Sequence, residues 1–192
     1  MFTDSDCYPE PGWLTAVAMA LAEEETGIVM GPRLPPTHNR SLELIAEYEN
    51  KKAEVIFGSN DTSIYFGYTN NMAVRRSVME QVGPFERRSR GSDTIFIRRA
   101  VEALGCDVVA YCPDMVVRHG ELTSIATYYN KVRTYARYRK NFSHIMKVRP
   151  LSLKERLDSF RQVSRETSVL RSIQLFGLLL VGVLFWWHGG RS

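Results

Sequence analysis

The sequence predicts an α/β protein, and three observations carry that reading. Short apolar runs bounded by Gly and Pro alternate with longer segments whose apolar residues recur every three or four positions. That alternation of strand with helix is the pattern of an α/β core. The 192 residues, 44% hydrophobic and 24% charged, are enough for one domain with a true core and argue against disorder.

The elements follow in order. "MFTDSD" reads as strand-like and runs into a turn at Pro9, Glu10 and Pro11. "GWLTAVAMALAEEE" predicts a helix with Trp13 or Leu14, Val17, Ala18 and Leu21 on one face. "TGIVMGPRLPP" predicts a short buried strand. "SLELIAEYENKKAEV" has helical spacing at Leu42, Ile45, Ala46 and Tyr48 or Glu49, with Ser41 as its cap. The Gly-, Ser- and Asn-rich "IFGSNDTSIYFGYTNN", with its aromatics, has the character of a binding loop.

"RRSVMEQVGPF" predicts a short helix opened by a capping box from Ser77 to Glu80 and stopped at Gly83-Pro84. "TIFIRRAVEALG" predicts a helix ending at Gly105, and "CDVVAYCPDMVVRHGE" two short strands split by Pro113. From Thr123 the chain turns helical, basic and rich in Tyr, and Ser152 to Glu155 forms a second capping box. The reading divides the chain at 1–122, 123–168 and 169–192.

The final segment, "IQLFGLLLVGVLFWWHGG", is apolar over residues 173–187 apart from Gln174. Fifteen or so apolar residues fall short of the roughly 20 that a hydrocarbon core needs, which leaves a thin span, a tilted one or a helix in one leaflet. Trp186 and Trp187 match an interfacial belt. Lys154, Arg156, Arg161, Arg165 and Arg171 precede the run, so the body is expected on the cytoplasmic side.

The net charge of +4 is mild, but Arg and Lys crowd into residues 131–171 and favour an anionic surface. No ribonucleoprotein signature accompanies them, so no nucleic-acid partner is expected. Cys7, Cys106 and Cys112 form no CxxC pair and no Cys/His cluster in the sequence, so neither a zinc site nor a disulfide framework is expected. No secretory signal is read at the start.

Asp4 and Asp6 carry the clearest chemistry. On a strand, a spacing of two points both carboxylates to one side, where they can hold a hard divalent cation that also binds phosphate oxygens. Asp93 lies at a helix entrance, where the positive end of the helix favours an ionised carboxylate fit to act as a base. Aspartate is also a common helix cap in that place. His119 sits where a strand opens into a loop.

Taken in order, these motifs resemble the family 2 glycosyltransferases of the GT-A fold. The residues that carry the resemblance are "FTDSDCYPEPGWL", "GYTNNMAVRRSVMEQVGPFE", "GSDTIFIRRAVEALG" and "VVAYCPDMVVRHGE", over residues 2–121. The resemblance implies an incomplete GT-A core followed by helices. It implies inverting, metal-dependent transfer of a sugar from a nucleotide-sugar donor to a saccharide or lipid-linked acceptor.

Asp4, Asp6 and His119 would hold Mg²⁺ or Mn²⁺, and Asp4, Asp6 and Arg75 would meet the donor. Asp93 would be the catalytic base, while Asn70, Asn71, Arg76 and Ser92 would line the acceptor side. Ser92 replaces the family's acidic partner before the base. The QxxRW of many processive synthases is absent, which implies single addition. The family also places its first strands and nucleotide-base pocket before the aspartates, so a preceding segment or a partner chain is expected to complete the domain. The alternative expectation is a non-catalytic remnant or membrane-attached module that keeps the fold without turnover.

Overall fold

The computed structural model describes residues 1–36, 38–88, 90–142 and 149–191. It is mixed α/β, with seven α-helices among the described residues, two three-stranded sheets and one apolar C-terminal helix. The chain divides into two compact units, Met1–Leu34 with Ala53–His119, and Pro35–Lys52 with Gly120–Ser192. The later part of the second unit begins at Gly120. The second unit also takes residues 35–52, which a linear division does not separate.

In chain order the elements of the first unit begin with β1 (Cys7–Pro9) and α1 (Trp13–Ala20). Next come β2 (Ile28–Met30), β3 (Arg33–Leu34) and, from Ala53, the end of α2 (Arg40–Phe57). They continue with β4 (Met72–Val74), α3 (Arg76–Val82), α4 (Ser92–Leu104), β5 (Val109–Tyr111) and β6 (Val117–His119). One sheet has the order β4-β2-β5, with β2 antiparallel to β4 and parallel to β5. The other has the order β1-β6-β3, with β6 antiparallel to β1 and parallel to β3.

β2 forms because three successive apolar residues lie between glycines, and all three are fully buried, as a strand covered on both faces requires. Residue 31, just past its end, has to be glycine: a Cβ there would overlap the Met115 carbonyl and stand 2.7 Å from Asn71 Nδ2. The chain then turns at once into β3, a second strand that the sequence reading left merged with the first. α1 buries Trp13, Ala16 and Val17 and leaves Leu14 62% exposed. The Trp13 alternative is therefore the one realised, and Ala18 lies on the outer side with Leu14.

Two expected caps are replaced. Asn39, not Ser41, caps α2, its Oδ1 accepting from the backbone N–H groups of Ser41 and Leu42 at 3.1 Å each. α3 starts one residue before the proposed Ser77 box, with Arg75 in the cap position and no side-chain cap bond. α3 and α4 do end at Gly83 and Gly105, both at positive φ.

The "IFGSNDTSIYFGYTNN" segment is not an exposed binding loop. Tyr65 is fully buried and Tyr68 is 6% exposed. Phe57 packs at 5.4 to 6.3 Å from Phe66, Tyr65, Tyr68 and Tyr111. These aromatics are core.

In the second unit, α5 (Ile125–Phe142), α6 (Leu153–Glu166) and α7 (Val169–Arg191) join the first part of α2. Ser152 and Glu155 make the expected reciprocal capping box on α6. Leu44, Tyr48, Val163 and Leu175 form a buried cluster, and the Tyr129 ring stacks on Phe185 at 5.0 Å.

α7 begins earlier and ends later than the apolar run suggested. Its 22-residue stretch Val169–Gly190 is long and apolar enough to cross a membrane, at about 33 Å against a hydrocarbon core of about 30 Å. Only 6% of its most apolar window is buried inside the protein, which separates it from an ordinary core helix. Leu170, Ile173, Phe176, Leu180, Leu184 and Trp187 are all exposed.

Candidate functional site

The first departure from expectation is local and shapes the whole site. Residues 4–6 are not an extended strand, because the Cys7 N–H donates back to the Asp4 carbonyl at 3.0 Å and closes a turn. Asp, Ser and Asp are turn formers, so the local chemistry outweighs the alternating pattern. Only Phe2 pairs as a strand would, exchanging bonds with Met72 at 2.7 and 3.2 Å. The carboxylates therefore converge by curling around a turn, not by projecting from one face of a strand.

They converge on the end of β6. Cys7 and His119 are direct partners across the β1-β6 ladder, so their side chains share one face. His119 is 5% exposed, and its Nε2 stands 3.5 Å from Asp6 Oδ2. Single ligand atoms of Asp4, Asp6, Cys7 and His119 all lie within 4.8 Å of one another. Two carboxylates fit a hard divalent ion, and an imidazole adds a borderline donor. The fold thus gathers the three residues expected at the metal, together with one that the sequence reading passed over.

No Cys or His lies near Cys7 in the chain, so its sequence neighbourhood carries no metal signal. The missing signal is register: a strand ending in His119, paired with the strand that leaves the aspartate turn. Burial pushes the Cys7 thiol above its ordinary range, with Asp6 and Asp4 adding to the rise and the Thr3 hydroxyl opposing it.

Asp93 sits in the first turn of α4, behind the N-cap Gly91, and is not itself the cap. Its Oδ1 accepts from the Thr94 N–H at 2.8 Å. Burial raises its carboxyl above the usual range. The backbone bonds and the charge of Arg33 pull it down, while the charge of Asp4 pushes it up. Asp93 therefore shares an electrostatic neighbourhood with Asp4 and Arg33.

Gly67 permits this placement. A Cβ on it would lie 2.5 Å from the Asp93 carbonyl oxygen, while its N–H reaches Thr94 Oγ1 at 3.2 Å. Arg33 was not anticipated either. It lies on β3, its guanidinium carbon 3.7 Å above the Tyr68 ring, and the Tyr68 hydroxyl donates to the Gly31 carbonyl at 3.0 Å. An arginine held on an aromatic face keeps its charge fixed in direction. Its sequence signal, a lone Arg between Gly-Pro and Leu-Pro, carries no functional mark.

The remaining expected residues separate into three groups. Asn71 cannot meet an acceptor, because it is fully buried and its amide is spent on the scaffold. Its Oδ1 accepts from Trp13 Nε1 at 2.8 Å, and its Nδ2 donates to the carbonyls of Met115 and Pro32 at 2.6 and 2.9 Å. Arg75, expected at the donor, spends its guanidinium on backbone carbonyls. Its Nε donates to the Thr26 carbonyl at 2.7 Å and its Nη2 to those of Leu21 and Glu23, bracing residues 21–26. Ser92 is the first residue of α4, Arg76 is exposed at the start of α3, and Asn70 is 8% exposed with its Oδ1 lacking a hydrogen-bond partner.

A cavity of about 710 Å³ lies elsewhere in the same unit. Glu23, Glu24, Glu25, Asp107, Phe57 and Cys106 line it, and none of Asp4, Asp6, Cys7, Asp93 or His119 does. Its wall mixes four carboxylates with Cys106, small polar residues and aromatics, and it holds no cationic side chain and no histidine. The turn at Asp4 to Cys7 is the better chemical site. No protein-family model and no curated protein matches the chain.

Proposed function

We propose that the first unit is the metal- and acceptor-side part of a GT-A core, belonging to an inverting family 2 glycosyltransferase. The observation that carries this reading is the gathering of Asp4, Asp6 and His119, with Asp93 in electrostatic reach, from three separate places in the chain.

Asp4, Asp6 and His119 would hold Mg²⁺ or Mn²⁺. That ion, when bound, offsets the charge that develops on the departing diphosphate. Asp93 is the base. Its burial and raised carboxyl bring its proton affinity nearer that of a working base at neutral pH, while Arg33 and two backbone N–H groups keep the ionised form accessible. It takes the proton of an acceptor hydroxyl as that oxygen attacks the anomeric carbon from the face opposite the diphosphate. One such displacement inverts the anomeric centre.

Of the expected acceptor-side residues, Asn70 has a buried Oδ1 with no hydrogen-bond partner among the described residues, and such an oxygen gains most from a hydroxyl supplied by a ligand. The acceptor is a saccharide or a lipid-linked one. α7 supplies the membrane association. The basic residues Lys154, Arg156, Arg161, Arg165 and Arg171 ahead of it support a cytoplasmic catalytic unit.

The reading is tested by thermal unfolding of the chain with Mn²⁺ and a nucleoside diphosphate. At a hundredfold excess over Kd the pair should add about 2.7 kcal/mol, a rise of roughly 5–10 °C in Tm. Asp6→Ala should remove the rise. An unchanged Tm in the wild-type chain, or an equal rise in Asp6→Ala, would sink the assignment.

A further inference from the structure

We infer that Cys7 and His119 turn the carboxylate pair into a four-donor site for an ion of the Zn²⁺ class, which competes there with Mg²⁺ or Mn²⁺. The inference rests on the reading above only in placing a cation at these residues, and it requires no sugar donor.

Ligand chemistry is the first support. Two carboxylate oxygens, one imidazole nitrogen and one sulfur within 4.8 Å make a mixed set of four. A hard ion uses the oxygens and gains little from sulfur, whereas a borderline ion takes all three donor types. Geometry is the second. A tetrahedral ion with bonds of about 2.0–2.3 Å sets its donors roughly 3.3–3.7 Å apart, so the group needs to contract by only about 1 Å. His119 Nε2 and Asp6 Oδ2 already stand 3.5 Å from each other.

The scaffold is the third. Cys7 and His119 are held opposite each other by the β1-β6 ladder, and Asp4 and Asp6 lie on the turn that the Cys7 N–H closes. Contraction therefore asks for side-chain rotation around a fixed backbone.

The two occupancies have different consequences. An ion held by the two carboxylates and His119 alone keeps open positions for diphosphate oxygens. One that also takes the Cys7 sulfur has four protein donors, as in closed structural zinc sites, and has no room for the donor. On binding, the Cys7 S–H bond breaks, the sulfur's electron pair forms the bond to the metal, and the proton leaves to solvent. No oxidant or further reactant takes part. The site would then be a transferase centre that zinc shuts.

Co²⁺, a coloured stand-in for Zn²⁺, gives the direct test. Added to the 192-residue chain it should produce a thiolate-to-metal charge-transfer band, which Zn²⁺ then abolishes by displacement. In Cys7→Ser the band should be gone and Zn²⁺ affinity should fall by about 100-fold. Mn²⁺ binding, which does not use the thiol, should persist in that variant and so reports that it is folded.

Mn²⁺ binding with no cobalt–thiolate band in the wild-type chain would overturn this inference and leave the transferase reading standing. A band without any stabilisation by nucleoside diphosphate and Mn²⁺ would support the inference and count against the transferase. A chain that binds no divalent ion would refute both.

Discussion

Replacing Asn71 with alanine is expected to lower the folding free energy by about 3–5 kcal/mol, at the upper end of what single substitutions cost. The size follows from what the amide holds. Trp13 from α1, Pro32 from the β2-β3 turn and Met115 from the approach to β6 all bond to this one buried side chain. Alanine would strand the buried Trp13 indole N–H and the buried Met115 carbonyl together, each costing roughly 1–3 kcal/mol, and would take from the half-buried Pro32 carbonyl one of its two donors, the Val117 N–H remaining.

Urea unfolding is the measurement, with the midpoint falling and the slope unchanged. A loss below about 1 kcal/mol would mean that Asn71 is not the joint described here. Trp13→Phe, which keeps the ring area and removes only the N–H, should show strong coupling with Asn71→Ala in a double-mutant cycle.

Asp93→Asn is expected to move stability and activity in opposite directions. The folded protein raises the carboxyl of Asp93, so it holds that proton more tightly than the unfolded chain does. The stabilisation from this group is complete below the ordinary aspartate value of about 3.9 and is lost as pH rises through the higher folded value. At neutral pH the ionised side chain is therefore a burden. Asn keeps an oxygen for the Thr94 N–H without the charge.

The variant should accordingly unfold at a higher urea concentration at pH 7, and this gain should vanish on acidification to pH values below the aspartate range. Sugar transfer, assayed in a chain that also carries the nucleotide-binding segment, should fall by about 10²–10⁴-fold. Full transfer by Asp93→Asn would remove the base from the mechanism.

The fold was legible wherever local chemistry and pattern agreed. The apolar triplet of β2 between glycines, the Pro113 break between β5 and β6, the Gly stops of α3 and α4 and the Ser152 capping box all stand where the sequence puts them. It was misread where two local signals compete. Alternation in residues 2–6 suggests a strand, yet Asp-Ser-Asp forms a turn. The aromatics after Phe57 look like a ligand surface, yet they pack on one another.

The site shows the same limit. Asp4, Asp6 and His119 carry chemistry that is visible residue by residue. The roles of Cys7, Arg33 and Gly67 arise only from tertiary placement: a strand register, a ring beneath a guanidinium and a backbone approach. Asn71 and Arg75, read as ligand contacts, bond the scaffold instead, for the converse reason. A buried Asn and a backbone-bound Arg have the same letters in the sequence as ones that face a substrate.

The central claim is that a divalent ion sits at the turn of Asp4 and Asp6 beside His119, with Asp93 nearby. Substoichiometric Mn²⁺ added to the isotopically labelled chain tests it directly, since the paramagnetic ion broadens the amide resonances nearest to it. The account predicts that Asp4, Asp6, Cys7 and His119 fade first, Asp93 and Thr94 next, and the acidic cavity wall at Glu23, Glu24, Glu25 and Asp107 least. Broadening that starts at that cavity wall and spares His119 would contradict it.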